Sequence, residues 1–276
     1  MGHLGTLDPL AEGVLPIYLG KMTKLISLFN GLGKTYKATL FLGATSTTLD
    51  AEGEIKPVPV PEGIELGTIK KVLAGFEGES WQLPPMYSAV KVGGKQLYKY
   101  ARKGVEIKRE PRKIVIDRIS DIELQFPFLR FDVRCSKGVY IRTLADDIGK
   151  ALHTGAYLNH LVRTEIGGLF FLESAFGIDQ ITKLIEIHDK SFLFPLYDLI
   201  KNFHRLKLKS TEEVGKIKNG LAITVPGDYL LPFEEDQMKS KNVAFAFDKD
   251  ENIIAIGGLE FSQDLFLKFS PNKVLI

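Results

Sequence analysis

The stretch from Lys34 to Leu42 is rich in β-formers, and its apolar residues Tyr36, Ala38, Leu40 and Leu42, two apart, share one face. A period of two is the mark of a half-buried strand, so this stretch predicts a strand over 34–42. Just before it, Met22, Leu25, Ile26 and Phe29 follow helical spacing, and Gly31 and Gly33 end the pattern, which predicts a helix over 22–30. Residues 44–54 are polar and predict a loop, 58–63 form a proline-rich connector, and 67–76 predict a short helix. An extended piece over 81–85 leads to a strand over 86–92, turned at Gly93-Gly94. A short basic helix is expected over 95–103, stopped by Gly104. Three strands follow, over 113–118, 119–126 and 128–135. A helix then begins near Tyr140, with Leu144, Ile148 and Leu152 one turn apart. Residues 157–162 read as a helix and 165–172 as a strand.

Strands in runs with helices between them predict an α+β fold, built on a mixed, largely antiparallel central sheet with flanking helices. A boundary is expected within 195–205. Beyond it, a strand over 203–208, a helix over 212–219 and strands near 243–247, 252–257 and 265–269 make a small β-rich module. The expected domains are therefore 1–198 and 199–276.

Composition adds limits to this picture. The chain has 276 residues, 45% hydrophobic and 25% charged, with a single cysteine, Cys135. One cysteine excludes an internal disulfide and a cysteine-based zinc site, and suits a reducing, cytoplasmic setting. Met1 is not followed by a basic region and an apolar core, so no signal peptide is expected, and no apolar run is long enough to span a bilayer. Net charge is only +2, but it is unevenly spread. Between Lys91 and Arg118 ten Lys/Arg face three acids, a net +7, while the stretch from Asp228 to the end carries −4. Lysines interleaved with Tyr98 and Tyr100 fit a nucleic-acid footprint as well as they fit a solvated helix and strand.

The candidate chemistry starts in the opening loop. Glycines at 2, 5 and 13 surround Asp8, and Pro9 restricts its backbone. Local sequence allows Asp8 to be either a turn residue or a presented acid. The five histidines (3, 153, 160, 188 and 204) are scattered without metal-ligand spacing. The glycines lack the Gly-Lys-Ser/Thr of a P-loop, and no nucleophile elbow or dinucleotide fingerprint is present.

Taken together, several stretches resemble a known family. Gly2-His3-Leu4-Gly5-Thr6-Leu7-Asp8-Pro9-Leu10-Ala11-Glu12-Gly13 resembles the aspartate motif of the TruB family, the bacterial tRNA pseudouridine-55 synthases. Lys34-Thr35-Tyr36 is similar to its tyrosine motif. Pro84-Pro85-Met86-Tyr87-Ser88-Ala89-Val90-Lys91, Cys135-Ser136-Lys137-Gly138-Val139-Tyr140-Ile141-Arg142-Thr143 and Leu161-Val162-Arg163-Thr164 match further stretches, in family order. The resemblance implies isomerisation of one uridine in the tRNA T-loop, without cofactor or metal, by a monomer. It implies Asp8 as the essential acid, with Arg142 as its charge-assisted partner. Tyr36 would stack on the target base, and Tyr140 would be a second pocket aromatic. His3 would fill the space left by the flipped uridine, and Leu161 would add an apolar wall. The C-terminal module is expected to be a PUA-like RNA-binding domain. A non-catalytic tRNA-binding or tRNA-folding protein is the alternative, carried by the +7 stretch.

Family members usually begin with a strand and helix ahead of the aspartate loop, with a Lys-Pro-x-Gly-x-Ser-type motif. This sequence opens directly on the loop. The expectation is a sheet edge without that strand.

Overall fold

The computed structural model describes residues 1–231, 242–262 and 266–275. The chain forms two compact units. One holds residues 4–16 and 28–175. The other holds 1–3, 17–27 and 176–276.

The first unit is built on a seven-stranded sheet. Its strands are β1 (Ala11–Gly13), β2 (Lys34–Leu42), β5 (Gly78–Gln82), β6 (Arg112–Gln125), β7 (Phe128–Cys135), β8 (Ala156–Ile166) and β9 (Phe170–Phe171). Two short strands, β3 (Ala44–Ser46) and β4 (Ile55–Pro57), form a hairpin whose first strand lies inside the stretch expected to be a loop. The order is β9-β8-β2-β7-β6-β5, all antiparallel, and β1 adds a parallel pairing to β8. The sheet is thus mixed and largely antiparallel, as expected.

Alternation places Ala38, Leu40 and Leu42 of β2 in the core beside Leu129, Phe131 and Val133 of β7. Helices α1 (Leu66–Ala74) and α3 (Ile141–Ala151) cover this face through Ile69, Leu73, Leu144 and Ile148, while α2 (Leu97–Ala101) follows the Lys91–Gln96 hairpin. Burying each of these large side chains is worth about 1.5–3 kcal/mol, so helices and sheet stabilise one another.

Several sequence expectations need correction. Residues 165–172, read as one strand, are the end of β8, a turn and the two-residue β9. Residues 157–162 are the middle of β8, not a helix. Residues 86–90 form no strand, and only Lys91–Val92 pairs, with Lys95–Gln96. The strands expected over 113–118 and 119–126 are one strand, β6, with register breaks at Ile116/Arg118 and Ser120/Glu123. The helix expected over 22–30 is a 3₁₀ turn over Gly20–Leu25 followed by one α turn, Ile26–Phe29.

The second unit carries a five-stranded sheet of β10 (His204–Lys207), β11 (Ile223–Pro226), β12 (Val243–Phe247), β13 (Ile253–Phe261) and β14 (Phe266–Val274), in the order β10-β12-β13-β14-β11. Helix α4 (Thr211–Lys218) packs on it through Ile217. Ser210 caps this helix by accepting from the Glu213 amide at 3.2 Å, while its own amide donates to the Glu213 carboxylate at 3.0 Å. Residues 178–186 and 196–200 add two helices not expected from sequence. Leu265, at the start of the last expected strand, lies outside the described residues.

Candidate active site

Asp8 sits in a loop that leaves the core at Leu4 and re-enters it at Val14, both buried. Two crossings fix the loop. The Leu4 amide donates to the Pro16 carbonyl at 3.1 Å, and the Val14 amide donates to the Arg163 carbonyl at 2.9 Å. Gly13 is needed at the second crossing. Its φ is +109°, and a Cβ there would collide with the Arg163 backbone. Within the loop the Ala11 amide donates to the Asp8 carbonyl at 2.8 Å, closing a turn around Pro9.

Arg142 reaches Asp8 from the first turn of α3. Its Nε donates to Asp8 Oδ2 at 2.8 Å. Nη2 donates to the Tyr87 carbonyl at 2.8 Å, and Nη1 to the Thr48 carbonyl at 3.4 Å. Nη1 also lies 3.5 Å from Asp50 Oδ2. The guanidinium side chain is 5% exposed and that of Asp50 4%, whereas that of Asp8 is 37% exposed. A planar fork of five donors suits this task; a point charge does not. Asp50 is further satisfied by the Thr48 hydroxyl and by the Glu52 amide at 3.1 Å. The result is a buried Asp50–Arg142 base on which the more open Asp8 carboxylate rests.

Tyr140 is the residue before α3, with extended backbone (φ −100°, ψ 109°). The buried amide of Gln82, at the end of β5, grips it from both sides. The Tyr140 N–H donates to Gln82 Oε1 at 2.8 Å, and Gln82 Nε2 donates to the Tyr140 carbonyl at 3.1 Å. Burial raises the phenol's pKa above its ordinary value, and the neighbouring Ser88 hydroxyl pulls the other way.

Tyr36, in β2, is half-buried among Cys135, Arg163 and Asp8. Burial pushes its phenol up to about 12. It is therefore neutral at ordinary pH. Arg163, in β8, is fully buried beside the phenol. Its Nε donates to the Val14 carbonyl at 2.8 Å and its Nη2 to the Gly5 carbonyl at 2.9 Å. One guanidinium thus ties both ends of the Asp8 loop together beside Tyr36.

Of the sequence-derived candidates, the fold brings Asp8, Tyr36, Tyr140 and Arg142 into one neighbourhood. Leu161 is buried in the core of the same unit, where it pairs with Ala38 and Ala11. His3 is exposed, pairs with Ile17 in a two-stranded ribbon, and belongs to the other unit. Asp50, Gln82 and Arg163 escaped the sequence reading, although Arg163 lies inside the quoted Leu161–Thr164 stretch. Among the described residues, no three His, Cys, Asp or Glu side chains gather as a metal site.

Residues 1–141 match the model of the TruB family pseudouridylate synthases, N-terminal domain. This chain belongs to that family. A tRNA pseudouridine synthase B from Staphylococcus saprophyticus is 44% identical over 229 residues, covering 80% of this chain and 74% of the relative. One from Streptococcus pneumoniae is 39% identical and covers 99% of this chain and 89% of the relative. Among solved structures, a chain in a Cbf5-Nop10-Gar1 complex superposes over the whole of this chain and 76% of its own length, with a TM-score of 0.67 and 25% identity. The fold is that of the pseudouridine synthases, and the TruB family makes this chain a uridine isomerase.

Proposed function

We propose that this TruB-family chain converts the uridine at position 55, in the T-loop of tRNA, to pseudouridine, with Asp8 as the essential acid. The observation that carries the reading is the Arg142–Asp8 ion pair at 2.8 Å, seated on a buried Asp50 and flanked by Tyr36 and Tyr140. The Asp8 carboxylate is held by its partner yet open to a ligand. The N1–C1′ glycosidic bond breaks, the base turns while bound, C5 joins C1′ and gives up its proton, and N1 takes up a proton, so that the product is an isomer of the substrate. Tyr36 stacks on the flipped base, and its neutral phenol acts as a hydrogen-bonding group, not as a phenolate. Tyr140 lines the pocket, and Leu161 backs the apolar wall. Flipping costs a few kcal/mol of stacking, which base–aromatic contact of ~1–3 kcal/mol per base helps to offset.

On this reading the cationic 91–118 stretch makes sequence-independent phosphate contacts. Residues 199–276 act as a PUA-like module, and the enzyme works in the cytoplasm, where tRNA is processed. His3 is a candidate RNA contact, tested by the affinity of His3→Ala for tRNA.

Incubation with an unmodified tRNA transcript, followed by mapping of pseudouridine, tests the proposal. Conversion is expected at position 55, with a loss of about 10²–10⁴-fold or more in Asp8→Asn. Binding without conversion, or an Asp8→Asn variant as fast as wild type, would leave only a tRNA-binding protein.

A further inference from the structure

The 91–118 stretch holds ten cations, and nine of them are exposed. Arg109 is the exception, with its side chain only 16% exposed. A cation that meets an RNA backbone reaches into solvent, and this one turns inward onto a carbonyl. Arg109 Nη1 donates to the Pro84 carbonyl at 3.1 Å. Its Nη2 donates to Glu106 Oε1, also at 3.1 Å, but the Glu106 side chain is 80% exposed, so that ion pair is worth little.

Pro84 begins the short segment that reaches Arg142. Pro84 and Pro85 are both buried, each fixes its own φ, and each restricts the residue before it. The path from the Pro84 carbonyl to the Tyr87 carbonyl therefore has few free torsions. At its far end the Tyr87 carbonyl accepts from Arg142 Nη2 at 2.8 Å, and Arg142 Nε donates to Asp8 Oδ2 at 2.8 Å. The flanks of the segment are held as well. Gln82 clasps Tyr140 ahead of it, and beyond it the Ser88 and Val90 carbonyls accept from the Tyr98 and Leu97 amides at 3.1 and 2.8 Å. Arg109 supplies the hold in between.

The Arg142 guanidinium is planar, with its donors in fixed directions. A shift of the Tyr87 carbonyl therefore tilts Nε away from the Asp8 carboxylate, and hydrogen bonds weaken steeply off line. Here the inference rests on the uridine-isomerase reading, in which Asp8 is the essential acid. We propose that Arg109 is a positioning residue for that reaction: through the Pro84–Tyr87 strap it sets the Arg142 guanidinium against Asp8, and it is not one of the phosphate contacts of the 91–118 stretch. The charge pattern hides this role, because there Arg109 counts with the other nine.

Single-turnover conversion of a T-arm stem-loop RNA at saturating enzyme, beside RNA affinity by fluorescence anisotropy over a range of salt, tests the assignment in the full chain. Arg109→Met is expected to slow conversion about 10–100-fold, while affinity and its salt slope stay at the wild-type values. Arg109→Lys, which keeps a donor for the Pro84 carbonyl, is expected to regain part of the rate, and Glu106→Gln to leave rate and affinity unchanged. Pro85→Ala loosens the strap without removing a cation and should repeat the Arg109→Met pattern. An Arg109→Met variant that converts at the wild-type rate once saturated, with weaker binding and a salt slope lower by about one counter-ion, is a lost phosphate contact and overturns the assignment. If thermal melting shows that Arg109→Met does not fold, Pro85→Ala decides, and a wild-type rate there overturns the strap. Absence of conversion by the wild-type chain overturns the isomerase reading itself, whereas normal wild-type conversion with a full-rate Arg109→Met overturns the positioning role alone.

Discussion

Two buried arginines hold the Asp8 loop by different means. Arg142 works through charge, with two carboxylates and two carbonyls around one guanidinium. Arg163 works through neutral acceptors, the carbonyls of Gly5 and Val14. The first arrangement balances charge and leaves Asp8 partly open. The second leaves an unbalanced cation, which fixes the backbone and strengthens the local positive field. A buried charge is costly unless its surroundings satisfy it, so the two sites should respond differently to the same kind of substitution.

The largest effect is expected from Arg142→Met, which strands the buried Asp50 carboxylate. It should destabilise the fold by about 3–5 kcal/mol, read from the denaturant midpoint, and abolish pseudouridine formation. Arg163→Met should cost less, about 2–4 kcal/mol, because it leaves neutral carbonyls unpaired at ~1–3 kcal/mol each. Equal losses in the two variants would erase the distinction between charge and neutral anchoring. Arg163→Lys should recover more stability than Arg142→Lys, since four divergent acceptors need the planar fork.

Gln82→Leu removes both hydrogen bonds to Tyr140 and should cost about 1–3 kcal/mol, with a fall in kcat larger than the change in RNA affinity. Alkaline pH gives a smaller and graded effect on the Arg163 side. The Tyr36 phenol is raised from 10.0 to about 12 and the Cys135 thiol from 9.0 to about 12, both chiefly by burial. The folded state holds these protons after the unfolded chain has released them. Stability is therefore full below pH 9 and falls as pH rises from 9 to 12. Tyr36→Phe should flatten the part of the urea-midpoint profile above pH 10. The smallest effect belongs to His160, whose Nε2 lies 2.6 Å from Glu12 Oε1 at the surface. His160→Ala should change stability by no more than about 1 kcal/mol.

The legible parts of the sequence were those where one periodicity dominates. Strand β2 runs over Lys34–Leu42, the span predicted, because Tyr36, Ala38, Leu40 and Leu42 keep one apolar face with a period of two. β8 was misread because Tyr157, Leu158 and Leu161 mimic helical spacing. The strand is central and buried along much of its length, and register breaks at Leu158/His160 and Arg163/Glu165 interrupt its period of two. The pairing of Asp8 with Arg142 was readable only through family motifs, since 134 residues separate the two. Asp50 hid in a stretch whose composition is that of a solvated loop. Its burial arises because Leu49-Asp50-Ala51 runs beside Leu158, with the Ala51 amide donating to the Leu158 carbonyl at 3.0 Å and the Leu158 amide to the Leu49 carbonyl at 3.0 Å. Gln82 carried no local signal, because its role depends on the backbone of Tyr140.

The Gln82 clasp has a consequence for motion. Among the described residues β5 is an edge strand, paired only with β6, and edges are where sheets open first. Yet the side chain ending this edge closes on the residue before α3. Opening of the edge would release Tyr140, and with it the first turn that carries Arg142. In hydrogen exchange the Tyr140 amide should then share the exchange rate of the β5–β6 amides. Gln82→Leu should uncouple the two, because it is the clasp that lets the edge gate the helix carrying Arg142.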